Sequence, residues 1–422
     1  MAPATSRWAG LRLALGRRNY RLFVAGQLVS LVGTWTQAVA QSWLVYRLTG
    51  SAFWLGVATF CQQAPAFLFA SFGGLIADRH RRRTILVVTQ SSAMVLAFVL
   101  AALTLSGHVR VAHILVLAAF LGTVNAVDSP TRQSFVPEMV GRENLASAIA
   151  LNTTMVTGAS FVGPAIAGFA IEVLGEGWCF FVNGASFLAV IAGLLAMRGL
   201  PLPTKGPTRE SMWARLHEGF RFAATHEGVR ALLVLLALVG LAGLPFATLM
   251  PVFATNILHG DARTLGLLMG APGLGAVLVG LVLASRRGAG SYRWIAGACG
   301  MFGMLLVVFS QARSLWLAIA ILIPMGMGSM IQFTGTNTLI QTMTPDALRG
   351  RVMAIWFMIF MGFAPVGSLI AGSIATALGP SLVMAVGGSV CALGAIGFAR
   401  WAWTRRPSKE EHAPSVPSLT GS

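Results

Sequence analysis

Long apolar stretches alternate with short polar ones along the whole chain. Runs dominated by Leu, Val, Ala, Gly, Phe and Met occupy roughly residues 21–46, 52–77, 84–106, 111–128, 145–172 and 178–198. A polar stretch over about 199–230 separates them from six more, at roughly 231–257, 264–285, 294–311, 314–341, 352–378 and 381–403. A helix needs about 20 mainly apolar residues to cross a bilayer, so the pattern predicts an all-α integral membrane protein with twelve transmembrane helices in two sets of six. The expected division is residues 1–198 for the first six-helix bundle with its N-terminal segment, 199–230 for a linker, 231–403 for the second bundle and 404–422 for a tail. The tail is rich in Pro and Ser and is expected to be disordered. Within the linker, Trp213, Leu216, Phe220 and Ala223 recur at three- and four-residue spacing, with Arg215, Glu218 and Arg221 on other faces. Such a stretch reads as an amphipathic helix on the inner membrane surface, or else as a solvated linker.

Composition and charge sharpen this picture. Of 422 residues, 56% are hydrophobic and 10% charged, against about a quarter charged in soluble domains. The net charge of +17 would suggest nucleic acid in a soluble protein, but the charges sit between apolar runs and form no basic stripe with stacking aromatics. With the N-terminus placed in the cytoplasm, all 30 Lys and Arg except Arg47, Arg110, Arg263 and Arg313 fall on the cytoplasmic side. That is the positive-inside rule at work, and it predicts that both termini are cytoplasmic. Cys61, Cys179, Cys299 and Cys391 lie far apart in apolar surroundings, so packing rather than a disulfide or metal framework is expected. The first span, preceded by Arg7, Arg12, Arg17 and Arg18, shows no cleavable signal pattern. Gly270, Gly273, Gly275 and Gly280 lie inside an apolar span with no preceding strand, so they read as helix packing and not as a nucleotide loop.

Several motifs carry a resemblance. The loop after the second span reads Gly73-Gly74-Leu75-Ile76-Ala77-Asp78-Arg79-His80-Arg81-Arg82-Arg83, and it is similar to the signature loop of the major facilitator superfamily, with Arg81 in place of the usual Gly. The fifth span contains Gly158, Gly163, Pro164 and Gly168 and resembles the helix motif of that family's antiporter branch; ordinary close packing would also use such residues. The halves echo each other: Val136-Pro137-Glu138 with Arg142 after the fourth span, Thr344-Pro345-Asp346 with Arg349 and Arg351 after the tenth. The stretches from Arg18 to Trp35 and from Asp128 to Glu138 look like the branch holding enterobactin exporters and macrolide-efflux proteins. The resemblance implies two pseudo-symmetric six-helix bundles (the major facilitator fold) rocking about a central cavity. It further implies a gating loop formed by Gly74, Asp78, Arg79, Arg82 and Arg83. In it, Asp78 faces the N-terminus of the eleventh span, and Arg79 and Arg82 can pair with acids across the interface.

The first span presents a polar stripe. Gln27, Ser30, Thr34, Gln37 and Gln41 recur at spacings of three and four, on one helical face. Amides and hydroxyls are costly against lipid, so the stripe is either a hydrogen-bonded seam or a cavity wall. The cavity wall is the preferred reading, with Trp35 beside it and Asn125, Asn256, Gln332 and Asn337 as further cavity candidates. Asp128, with Arg132 one turn on, sits at the expected cytoplasmic end of the fourth span and is a candidate for ion coupling or a helix-end ion pair.

The expected function is ion-gradient-driven export, by proton antiport, of a small amphipathic or apolar compound such as a drug, secondary metabolite or siderophore. The expected partners are that substrate and the lipid bilayer, with no nucleic acid, no cofactor, no metal and no catalytic residue, the chain acting as a monomer in the cell membrane. Uptake or lysolipid movement by the same fold, a non-transporting receptor or assembly protein, and a membrane-embedded enzyme are the alternatives.

Overall fold

The computed structural model describes residues 15–141, 143–199, 212–285 and 291–404. Residues 200–211 of the expected linker and the tail from 405 onward lie outside the described residues. So do the side chains of Asp78, Trp213, Arg215 and Leu216.

Six helices form the first half: α1 (Arg18–Thr49), α2 (Ala52–Arg79), α3 (Arg82–Leu105), α4 (Val111–Val140), α5 (Leu145–Leu174) and α6 (Glu176–Ala196). After the short α7 (Met212–Thr225), the second half opens with α8 (Glu227–Leu238). The seventh span continues irregularly to Ile257. It is followed by α9 (Ala262–Ser285), α10 (Tyr292–Ser310), α11 (Leu315–Met343), α12 (Asp346–Leu378) and α13 (Pro380–Thr404). Among the described residues, twelve segments are thus long and apolar enough to cross a membrane.

Helix ends follow local chemistry. Gly50 closes α1 at φ 61°, a left-handed turn that a side chain would resist. Asp261 opens α9 by accepting the Thr264 amide at 2.9 Å, and that hydrogen bond holds its carboxyl below the usual carboxylate range.

One span differs from the sequence expectation. The fourth runs on to Val140, so Asp128 and Arg132 lie inside α4 instead of at its end. A run of apolar letters stops at the first charge, whereas the helix continues through Pro130 and Pro137, with that charge met by Arg132 one turn on and by Thr89 and Gln90 of α3.

The halves are built alike. In the first, α2 packs on α4 and α3 on α6; in the second, α9 packs on α11 and α10 on α13. Two cross-pairs join them, α2 with α12 and α5 with α9. Both cross-pairs close on the end of the bundle far from the termini. There, Gly372 lies against Ala52 and Gly56, and Gly266 against Pro164 and Gly168. Small residues allow this approach of backbones, as membrane helices require when lipid competes for every apolar side chain. Side chains such as Leu281, Leu393 and Val88 point outward, where a bilayer solvates them. α7 packs on α12 through Gly219, and Glu218 pairs with Arg351, while Ala223 is buried and Phe220 stays exposed.

Candidate transport pathway

Among the described residues, α1 borders three cavities; one, about 640 Å³, is an apolar groove between α1, α5 and α6, and the other two concern the pathway. The larger of these two, about 400 Å³, lies between the halves. Trp35 and Ser160 face it from the first half; Met250, Met269, Met330, Phe246, Phe333 and Phe360 are among the residues facing it from the second. Its wall is almost entirely carbon and sulfur.

The seventh span is broken where it meets this space. A π turn at Val239–Gly243, a 3-10 turn at Leu244–Ala247, a single α turn at Met250–Val252 and a second π turn at Phe253–Ile257 replace regular helix. Pro245 and Pro251 each lack a backbone N–H, and Gly240 and Gly243 offer little resistance to bending. In a membrane, irregular backbone persists where it is buried in protein or lines a cavity. Val239, Gly240, Leu244 and Ala247 do line it.

Ser160, Ser329 and Gln332 interrupt the apolar wall; each serine hydroxyl donates to a carbonyl of its own helix, and the glutamine amide stands apart. Gln332 of α11 is 3% exposed, and its Nε2 has no hydrogen-bond partner. Leaving such a donor unmet costs about 1–3 kcal/mol.

The smaller cavity, about 170 Å³, lies within the first half and is polar. The whole stripe of Gln27, Ser30, Thr34, Gln37 and Gln41 borders it, together with Asn125, Asp128 and Arg132 of α4. Asp128 is 3% exposed, and donors surround it. Its Oδ1 accepts from Thr89 Oγ1 at 2.7 Å and from Gln90 Nε2 at 2.8 Å. Its Oδ2 accepts from Arg132 Nε at 3.1 Å and also from Nη2. Arg132 Nη1 donates in turn to Gln27 Oε1. Farther along α1, Asn183 Nδ2 donates to Gln37 Oε1 at 2.7 Å. One acid and one base thus share the pocket. A buried pair of this kind holds only when the remaining lone pairs and protons find partners.

The described contacts of the loop after α2 fall within the first half. Asp78 lies in the last turn of α2, Arg79 is exposed, and a side chain at Gly74 would meet open space. Arg83 donates to the Leu195 carbonyl at 2.8 Å. Arg82 does not reach across the interface in this conformation: it pairs with Glu138 and donates to the Ser134 carbonyl at 3.2 Å, both on α4 of its own half. The extension of α4 to Val140 is what brings Glu138 beside the start of α3.

In the α5 motif, a Cβ on Gly163 would fall 2.4 Å from Trp35 Cβ, and one on Gly168 would fall 3.0 Å from the Ala262 carbonyl oxygen. Pro164 lies against Gly266. A Cβ on Gly158 would meet nothing within 4 Å. The motif therefore seats α5 on both α1 and α9.

Residues 5–418 match the family described as transmembrane secretion effector, within the major facilitator superfamily. The chain belongs to that family. It is 26% identical over 357 residues to the staphyloferrin A transporter of Staphylococcus aureus, covering 83% of this chain and 88% of that protein. To the enterobactin exporter EntS of Citrobacter koseri it is 25% identical over 381 residues, covering 87% and 88%. Among solved structures it is similar to a bacterial homolog of the human lysosomal transporter Spinster in an inward-facing, occupied conformation. That match has a TM-score of 0.73 at 13% identity over 95% of this chain and 99% of the other. The nucleoside transporter NupG matches with a TM-score of 0.68 at 13% identity, over 92% and 100%. These last two likenesses carry the fold alone.

For a major facilitator transporter, and not an enzyme, the sequence candidates now divide. Trp35 and Gln332 border the larger cavity; the stripe, Asn125, Asp128 and Arg132 border the smaller. Asn256 borders neither: it accepts from Tyr46 Oη at 3.0 Å, where α1 ends. Asn337 accepts from Gln341 Nε2 at 2.7 Å and also lies outside both cavities. Gln90 and Asn183 were absent from the expected set, although each is the lone amide of its span.

Proposed function

We propose that this major facilitator transporter exports a small, uncharged amphipathic compound by alternating access, with proton entry as the driving force. The larger cavity is the substrate chamber. The observation that carries this reading is its wall: apolar residues from both halves surrounding one buried, unpartnered amide donor, Gln332. Such a site suits an apolar body bearing a hydrogen-bond acceptor. The siderophores named for the relatives support a secondary metabolite as cargo. The name of EntS and the resemblance of the α5 motif to the antiporter branch support export.

The lopsided distribution of Lys and Arg supports cytoplasmic termini. On that orientation the closed end of the bundle faces outward, and the described conformation is inward-facing.

Inverted membrane vesicles loaded against a panel of secondary metabolites and drugs, with imposed pH or sodium gradients, test the proposal. Substrate accumulates when the lumen is acid, and Gln332→Leu weakens recognition several-fold, in line with about 1 kcal/mol for a lost hydrogen bond. Accumulation driven only by sodium, or net movement out of an acid lumen, contradicts it.

A further inference from the structure

We infer that the groove between α1, α5 and α6 holds one membrane phospholipid, with an acyl chain in the groove and the phosphate on Arg47. The groove is walled by the first half alone and is separate from the transport pathway.

The packing of three helices creates it. α5 and α6 each pack on α1 but barely on each other, so a cleft is left between them. Ile166, Leu174, Trp178 and Val182 border this cleft and are all exposed. The hydroxyls in its wall are already engaged. Thr36 Oγ1 donates to the Val32 carbonyl at 2.9 Å and to the Gly163 carbonyl at 3.2 Å, and Ser186 Oγ donates to the Asn183 carbonyl at 2.7 Å. What remains for a guest is an apolar surface, which suits a hydrocarbon chain and not a polar solute. From Ile166 to Leu174 the groove follows α5 for about 12 Å. One leaflet offers roughly 15 Å of hydrocarbon depth, so a single acyl chain matches its length.

A charge pair at one end separates a held lipid from passing solvent. α1 and α5 run in the same direction, and the Thr36–Gly163 hydrogen bond sets their register. Arg47 and Leu174 lie equally many residues beyond that contact, so Arg47 stands level with the Leu174 end of the groove. It also falls about 20° from Thr36 around α1, on the face that lines the groove. Glu176, just before Trp178, holds it in place: Arg47 Nε donates to Oε1 at 2.8 Å and Nη2 to Oε2 at 3.3 Å. Nη1 makes no hydrogen bond among the described residues. The Arg47 side chain is 55% exposed and that of Glu176 10%, so an arriving headgroup meets the cation first. Glu172, an exposed acid nearby in sequence, lies across α5 from Ile166, Ala170 and Leu174. Arginine N–H groups are well suited to phosphate oxygens. Arg47 is moreover one of the few basic residues placed at this end of the bundle, against the trend of the chain. On the orientation proposed above, the lipid belongs to the outer leaflet.

Native mass spectrometry tests the site with the full chain, released from nanodiscs of equal phosphatidylglycerol, phosphatidylethanolamine and monogalactosyl diacylglycerol. One phospholipid stays with each chain, and the galactolipid, which lacks phosphate, is retained about tenfold less. Arg47→Gln brings phospholipid retention down to the galactolipid level. Ala185→Trp fills the groove from α6 and removes the lipid. Ala170→Leu, a smaller change on the α5 wall, lowers retention and carries the same test should Ala185→Trp not insert. Leu393→Trp, at an exposed position of α13, keeps the lipid and controls for an added ring. Equal retention of galactolipid and phospholipid, or retention indifferent to both groove-filling substitutions, overturns the assignment. So does a dimer that Ala185→Trp dissociates, because the groove would then be a contact between two copies of the chain.

Discussion

Tyr46 Oη donates to Asn256 Oδ1 at 3.0 Å, tying the Thr49 end of α1 to the Ile257 end of the seventh span in the other half. Among the described residues, the other hydrogen bonds between halves lie on the same side: the Phe53 amide to Thr376 Oγ1 at 3.1 Å, and Thr59 with Thr248 at 3.5 Å. Tyr46→Phe keeps the ring and removes only the donor, and Asn256 Oδ1 retains its bond from Thr255 Oγ1. A loss of about 1 kcal/mol is expected, enough to move the outward-open population roughly fivefold. Distance populations between spin labels at His108→Cys and Arg313→Cys, exposed positions in loops of the two halves at this end, check this. Unchanged populations would mean that the bond contributes nothing to closure.

Glycines make the closure possible sterically. A Cβ on Gly266 would lie 2.5 Å from the Pro164 carbonyl oxygen, backbone that cannot swing aside. Gly266→Leu is therefore expected to hold the outer end open and to abolish turnover while the protein still inserts. Gly158→Ala, in the same α5 motif, meets open space and should transport at close to the wild-type rate, apart from a small gain in helix propensity. Equal damage from both substitutions would mean that the motif acts through something other than the α5–α9 contact.

The Arg82–Glu138 pair makes a different prediction. Both side chains are mostly buried, at 24% and 18% exposure, and both belong to the first half. Arg82→Ala should lower stability by about 1–3 kcal/mol, less than a fully buried pair costs because water screens it in part. The thermal unfolding midpoint in detergent reads this, and Arg82→Glu combined with Glu138→Arg should recover part of the loss. A single variant with an unshifted midpoint and an altered inter-half distance would instead make the pair a latch between halves.

Much of the fold is legible in the residues, because a bilayer leaves a segment few choices. Twenty apolar residues must be helical, and basic residues must gather on one side. The spacing of Gln27, Ser30, Thr34, Gln37 and Gln41 likewise dictates one shared face, and all five border one cavity. The fourth span misleads because Pro130, Arg132 and Pro137 look like loop letters, and the partners that complete the Asp128–Arg132 pair come from α3, which donates to Asp128, and from α1, which accepts from Arg132. No reading of one segment can supply partners that only packing brings together. The amides divide for the same reason. Asn256 and Gln332 look equally promising in sequence, yet Tyr46 meets the amide oxygen of the first, while the amide nitrogen of the second has no partner. Arg82 shows the converse limit, since a family loop indicates which residue is charged but not which acid lies nearest in a given conformation.

The central claim is that the space between the halves is a substrate chamber open to one side at a time. Ser329 borders it from α11 and is partly exposed to it, so a Ser329→Cys variant free of other cysteines reports its access. A membrane-impermeant thiol reagent should label this cysteine rapidly in inverted vesicles and slowly in intact cells, and Gly266→Leu should reverse that preference. Labelling from neither side in either background would mean that the space is dry packing, and the transport pathway placed there would be wrong.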